Sequence, residues 1–191
     1  MSNDTENTYE HIRSGGSGIY KQKRGLIAVW GKEAVQFLDG LISNDMKTLE
    51  EGQQMLAAFP NAQGRLLAVV RMLRQGEKYL FETEDATREK VYQNLFRFTF
   101  AGDFFVEDLS EQYRYVEVFG SEPGAVADGF LFKSAFSTSH FVENDKAEDL
   151  KTGLITNGSV EIPNDLYETL RIESGIPKYG VDMDETTIVP E

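Results

Sequence analysis

Apolar residues recur along this chain with two different periods, and each period predicts a different element. Leu26 to Trp30 is a short continuous apolar run ending at Gly31, which predicts a strand. Ala34, Phe37, Leu38, Leu41 and Ile42 follow at i, i+3, i+4, i+7 and i+8, one buried stripe of a helix. Gly40 inside that stripe weakens a helix by roughly 1 kcal/mol relative to Ala, so it reads as a close-packing site. Met55 to Phe59, the turn Pro60-Asn61-Ala62-Gln63-Gly64, Leu66 to Leu73, the turn at Gln75-Gly76 and Tyr79 to Thr83 together predict a β-meander. The near-continuous run at 66–70 predicts a strand covered on both faces.

A second helix is expected from Asp85, read as its N-cap, with Val91, Leu95 and Phe98 on the apolar face and Gly102 at its end. Phenylalanines crowd positions 96, 98, 100, 104 and 105. They read as packing between a helix and a sheet, with a cofactor-stacking box as the alternative. Tyr113 to Phe119 alternates as a strand, Gly120 to Gly129 reads as a loop, and Phe130 to Phe132 and Ser139 to Val142 read as further strands. Asp145 to Lys151 reads as a short helix. Asn164 caps a better one, with Leu166, Tyr167 and Leu170 inside, Gly175 at its C-cap and Pro177 beyond. Residues 1–18 are polar, with Gly15-Gly16-Ser17-Gly18 at the end, and read as a disordered N-terminus. The order of elements predicts an α+β fold with mostly antiparallel sheets, its two similar halves covering roughly 19–106 and 107–191.

Composition narrows the chemistry. With no cysteine, this chain has no disulfide, thiolate nucleophile or thiolate metal site. His11 and His140 are far apart in sequence and lack companion ligands, so no metal site is expected. No run approaches a membrane span and no apolar signal region opens the chain; the expected compartment is the cytoplasm. A net charge of −13 repels phosphate backbones, so no nucleic-acid partner is expected. Neither a phosphate-cradling glycine loop nor a serine elbow is present.

Two carboxylates stand out. Glu173 lies in the last turn of its helix, where the helix dipole disfavours an anion, so a basic residue elsewhere or a ligand donor must answer it. Glu191 follows Pro190, whose ring pins its approach. A carboxylate held this way can accept two parallel N–H bonds, as an amino-pyrimidinone edge presents. Asp182-Met183-Asp184-Glu185 lacks the glycine and distal glutamate of a calcium loop and reads as a solvated acidic loop.

Three segments, in order, resemble the glycine-cleavage T-protein (aminomethyltransferase) superfamily and in particular its YgfZ branch. They are Arg24 to Gly31 with Leu41-Ile42-Ser43-Asn44-Asp45, Pro60-Asn61-Ala62-Gln63-Gly64-Arg65-Leu66-Leu67, and Leu170-Arg171-Ile172-Glu173-Ser174-Gly175-Ile176-Pro177 through Pro190-Glu191. The resemblance implies the family's folate-binding domain, two interlocked ferredoxin-like halves around a central pocket, and tetrahydrofolate as the cofactor. It implies that Glu191 hydrogen-bonds the pterin ring and that Asn61, Arg65 and Glu173 lie near the same cavity. Aminomethyltransferases carry an aspartate after the glycine hairpin where this chain has Ala68 and Val69, so aminomethyl transfer is not expected and no catalytic residue is assigned. The branch is linked to iron–sulfur cluster maintenance through a cysteine motif that would begin after Glu191, and by the same resemblance the C-terminal barrel of relatives is expected to be absent. The alternative reading is an interaction scaffold that has lost the ligand and binds a protein partner through phenylalanines among 96–105.

Overall fold

The computed structural model describes residues 3–121 and 128–189. In chain order its elements are α1 (Asn3–Arg13), β1 (Ser17–Lys21), β2 (Arg24–Trp30), α2 (Ala34–Asp39), β3 (Gln54–Pro60), β4 (Leu66–Gln75), β5 (Lys78–Glu84), α3 (Asp85–Phe96), β6 (Phe105–Asp108), β7 (Tyr113–Gly120), β8 (Gly129–Lys133), β9 (Ser137–Glu143), α4 (Ala147–Thr156), β10 (Val160–Glu161) and α5 (Asn164–Glu173). The fold is α+β with two mostly antiparallel five-stranded sheets. The chain does not divide at a single point near residue 106. One compact unit is drawn from Met1–Lys23 and Gln112–Pro177, the other from Arg24–Glu111 and Lys178–Glu191.

The second of these units contains the sheet β3-β4-β5-β2-β6. Alternation places Ile27 and Val29, Ala57 and Phe59, Ala68, Val70 and Met72, and Tyr79 and Phe81 on one face. Ala34 and Leu38 of α2 and Val91 and Leu95 of α3 pack there. Within β4, Leu66, Ala68, Val70 and Met72 are buried while residues 67, 69 and 71 are half-buried, so the dense run is not equally covered on both faces. Gly40 is not a packing site: it caps α2, and a methyl group there would meet only the Phe37 carbonyl, at 3.7 Å. Leu41 and Ile42 therefore belong to the turn that follows. Asp85 is the first helical residue of α3 rather than its cap, and its carboxylate sits in the first turn, where the helix dipole favours it. The helix ends at Phe96 and the chain makes a separate tight turn over Thr99–Ala101.

The first unit contains the sheet β10-β1-β7-β9-β8. Ile19, Val116, Val118 and Val142 face Leu150 and Leu154 of α4. Phe119, one residue on from Val118, points to the opposite face. It packs with Ile12 of α1, Ile162, and Leu166, Tyr167 and Leu170 of α5. Residues 3–18 are therefore ordered, against the expectation of a disordered N-terminus. Thr5, Tyr9 and Ile12 fall on one helical face; Thr5 bonds Asp165 at 3.3 Å, and Tyr9 and Ile12 join the α5 cluster. The glycines that read as flexible lead into β1. A Cβ at Gly18 would come 2.6 Å from Ile12 Cδ1 and 2.7 Å from Ile162, so the bare backbone is what admits both neighbours. Asn164 opens α5 without capping it and instead accepts from the Tyr20 hydroxyl at 3.2 Å. Ser174 is the C-cap and Gly175 follows it. The expected 145–151 helix is α4, shifted to Ala147–Thr156. Of the expected loop at 120–129, residues 122–127 lie outside the described residues. No helix among the described residues is long and apolar enough to cross a membrane.

Candidate functional site

The bend between β3 and β4 is built by Asn61. Its side-chain oxygen accepts from the Gln63 and Arg65 amides at 2.9 and 3.0 Å, and its backbone exchanges further bonds with Gly64 and Arg65. Gly64 closes the turn at φ +73°, a conformation that favours glycine. The C-terminal segment of the same unit folds back onto this bend. The Leu66 amide donates to the Thr187 carbonyl at 2.9 Å, the Val189 amide donates to the Gly64 carbonyl at 2.9 Å, and Arg65 bridges Ile188. The Arg65 guanidinium adds a bond to the Thr186 carbonyl at 3.1 Å.

The segment leading there is held by its own acidic residues. Asp182 accepts from the Lys178 amide at 2.9 Å, and Asp184 accepts from the Thr186 amide and hydroxyl at 2.7 and 2.6 Å. These two bonds, the hydroxyl first, hold the Asp184 carboxyl below its usual range. Glu185 pairs with Lys90 of α3. The Tyr179 amide donates to Glu84 at 2.9 Å. Among the described residues no group of three His, Cys, Asp or Glu side chains is arranged to hold a metal ion.

Asn61 and Arg65 are thus brought together in one unit, at the bend on which the described chain ends. Glu191, with Pro190, lies outside the described residues. Glu173 belongs to the other unit. Its carboxylate forms an ion pair with Arg13 of α1 and accepts from the Tyr9 hydroxyl at 2.9 Å. The Arg13 guanidinium also donates to Tyr9, at 3.2 Å. An anion at the unfavourable end of α5 is therefore answered by a cation from α1. A cavity of about 140 Å³ beside it is lined by Ile12, Arg13, Phe119, Leu170, Glu173 and Ser174. Arg171, the neighbouring cation, is buried and turns away to Glu168 at 2.8 Å and the Ile176 carbonyl at 3.2 Å.

Two further carboxylates, Glu82 and Glu117, are buried. Glu82 on β5 is paired with Arg24 on β2 and with Arg71 on β4, the latter at 2.6 Å. Burial alone would push its carboxyl up, but the two guanidinium groups outweigh that and lower it to about 2. The signal was present in the sequence. Arg71 interrupts an apolar run, and counting outward from the Gln75-Gly76 turn sets Glu82 directly across from it. Glu117 on β7 accepts from Gln22 at 3.1 Å and from Ser137 at 2.8 Å. Ala68 is buried in the core, and Val69 on the opposite face is half-buried.

The phenylalanine-rich segment does not pack wholly inside. Phe104 is buried, but Phe96, Phe105 and above all Phe100, 88% exposed, are not. Phe37 stacks on Phe104 with ring centroids 3.9 Å apart and meets Phe98 edge-on at 6.0 Å. These rings, with Glu33, Gln36 and Leu41, line an open cleft of about 460 Å³ within the second unit.

Residues 1–148 match the family described as the GCVT N-terminal domain. The chain belongs to that family. This GCVT-type chain is 25% identical over 195 residues to an aminomethyltransferase of Staphylococcus carnosus, an alignment covering 84% of this chain and 53% of that protein. It is 30% identical over 115 residues to the iron-sulfur cluster assembly factor IBA57 homolog, mitochondrial, of Mycosarcoma maydis, covering 53% of this chain and 28% of that protein. Its fold is that of the glycine cleavage system aminomethyltransferase T from Bartonella henselae. The TM-score is 0.81 at 18% identity, over 95% of this chain and 57% of that one. The chain spans about half the length of the aminomethyltransferases it matches.

Proposed function

We propose that this GCVT-type domain binds a reduced folate, tetrahydrofolate, without carrying out aminomethyl transfer, and that it serves iron–sulfur cluster maintenance in the cytoplasm as a YgfZ-like protein. The observation that carries the reading is the return of residues 186–189 onto the Asn61–Arg65 bend. The amide of Val189 bonds Gly64, so only Pro190 separates a residue anchored at the bend from Glu191. In this reading the Glu191 carboxylate accepts two parallel N–H bonds from the pterin's amino-pyrimidinone edge, and Arg65 and Asn61 flank it. Glu173 stands in the other unit, where Tyr9 and Arg13 engage its carboxylate. Ala68 and Val69 supply no ionisable group where aminomethyltransferases carry aspartate. Proton transfer at the folate nitrogen therefore has no carboxylate there to depend on. The similarity to an iron–sulfur cluster assembly factor supports the choice of process.

Anaerobic calorimetric titration with tetrahydrofolate tests this. Binding is expected, and Glu191→Ala is expected to weaken it at least about tenfold, the scale of losing charge-assisted hydrogen bonds. No heat at millimolar tetrahydrofolate overturns the proposal.

A further inference from the structure

The aromatic cleft of the second unit has no part in the folate reading, yet it has the build of a recognition site. Its walls are Phe37, Leu41, Phe98 and Phe104, and its rim carries Glu33 and Gln36. Glu33 is held in place. Its carboxylate accepts from the Asp103 amide at 2.6 Å, while its own amide donates to the Asp103 carbonyl at 3.1 Å. Gly102 makes room for this: a Cβ there would come 2.8 Å from the same carboxylate oxygen. Of the nearby cations, Lys32 is directed to Asp103 at 3.4 Å and the Arg97 guanidinium lies over the Phe98 ring, 4.6 Å from its centroid; among the described residues no cation pairs with Glu33. A fixed carboxylate beside stacked phenyl faces suits a guanidinium or ammonium group. Such a side chain lays its apolar stem on the rings and carries its charge to the acid. Phe100, next in sequence to Ala101 of the cleft wall, is 88% exposed.

We propose that this cleft docks a basic, apolar segment of a partner protein, with an arginine or lysine set against Glu33 and its apolar neighbours laid on Phe37, Phe98 and Phe100. Charge decides between occupants. A net charge of −13 draws a basic segment toward this surface and repels a second copy of the same chain. The cleft accommodates a few side chains rather than a domain face, so a short segment of moderate affinity is the matching partner.

The test uses the full chain and two labelled amphipathic peptides of about 14 residues, with leucines at helical spacing and either lysine or glutamate on the polar face. Fluorescence anisotropy is expected to give binding of the lysine peptide with a Kd on the order of 10 µM and none of the glutamate peptide. Glu33→Gln, which keeps an acceptor for the Asp103 amide, and Phe100→Ser, at an exposed position, are each expected to weaken it at least about tenfold while the melting temperature holds. Asp149→Asn, at an exposed carboxylate on α4, is expected to leave the affinity unchanged. Equal affinity of wild type and Glu33→Gln overturns the proposal, as does equal binding of the two peptides. Concentration-dependent self-association abolished by Phe100→Ser overturns it too, by placing a second copy in the cleft.

Discussion

At position 82 a carboxylate that is 1% exposed stands between two guanidinium groups, and the local chemistry sets its pH behaviour. Its folded-state value of about 2 lies below the ordinary 4.5. Its stabilisation is therefore fully present above about pH 4.5 and is lost as pH falls from there toward 2. Denaturant unfolding between pH 5 and 2 is expected to show falling midpoints, with a shallower fall in Glu82→Gln. At neutral pH the same substitution removes the buried carboxylate that Arg24 and Arg71 share and is expected to cost about 3–5 kcal/mol. Asn61 illustrates the opposite kind of residue. Its contribution is to bonds within four positions of itself, and the Asn-Ala-Gln-Gly pattern was readable from turn chemistry alone.

At the scale of elements, those with a clear apolar period were legible, and α1 with three short strands was not. β2, β4, β5 and β7 show in the sequence because their apolar residues repeat often enough to declare a period, and α2, α3 and α5 for the same reason. β1, β6 and β10 are two to five residues long and have too little pattern to read. Helix α1 is polar around most of its surface, so its order depends on what Ile12 meets. Ile12→Ala is expected to lower stability by about 2–4 kcal/mol in chemical denaturation, as for any large-to-small change in a packed cluster. A disordered N-terminus would give no change. Arg13→Gln is expected to cost well under about 1 kcal/mol, because its ion pair with Glu173 is partly solvent-exposed. The C-terminal strap is held differently, by backbone pairing and one guanidinium. Arg65→Ala is expected to speed amide hydrogen exchange at Val189 and Leu66, with little effect on exchange in β4 beyond Ala68.

At the scale of the whole molecule, the chain crosses between units rather than finishing one before beginning the next. β1, near the N-terminus, lies in its sheet between β10 and β7, which come from the second half of the sequence. A fragment covering residues 112–191 is therefore missing an interior strand. It is expected to show no cooperative thermal transition by circular dichroism, and to regain one when a peptide of residues 1–23 is added. A fragment of residues 24–111 keeps β2 through β6 in order and is expected to retain strand signal.

What depends on near neighbours was legible in the order of residues. That covers the period of each long strand and helix, the turn at Asn61–Gly64, the α+β class, and the three ordered segments that point to the family. Tertiary structure alone decided which distant groups meet: Glu173 with Arg13 and Tyr9, Glu82 with two arginines, the C-terminal strap with the bend, and the phenylalanines that stay outside. The physical reason is one of range. Periodicity and turn preference are set by steric and hydrogen-bonding terms over a few residues. The partner of a charge and the covering of an aromatic ring are fixed only when segments far apart in the chain close on one another.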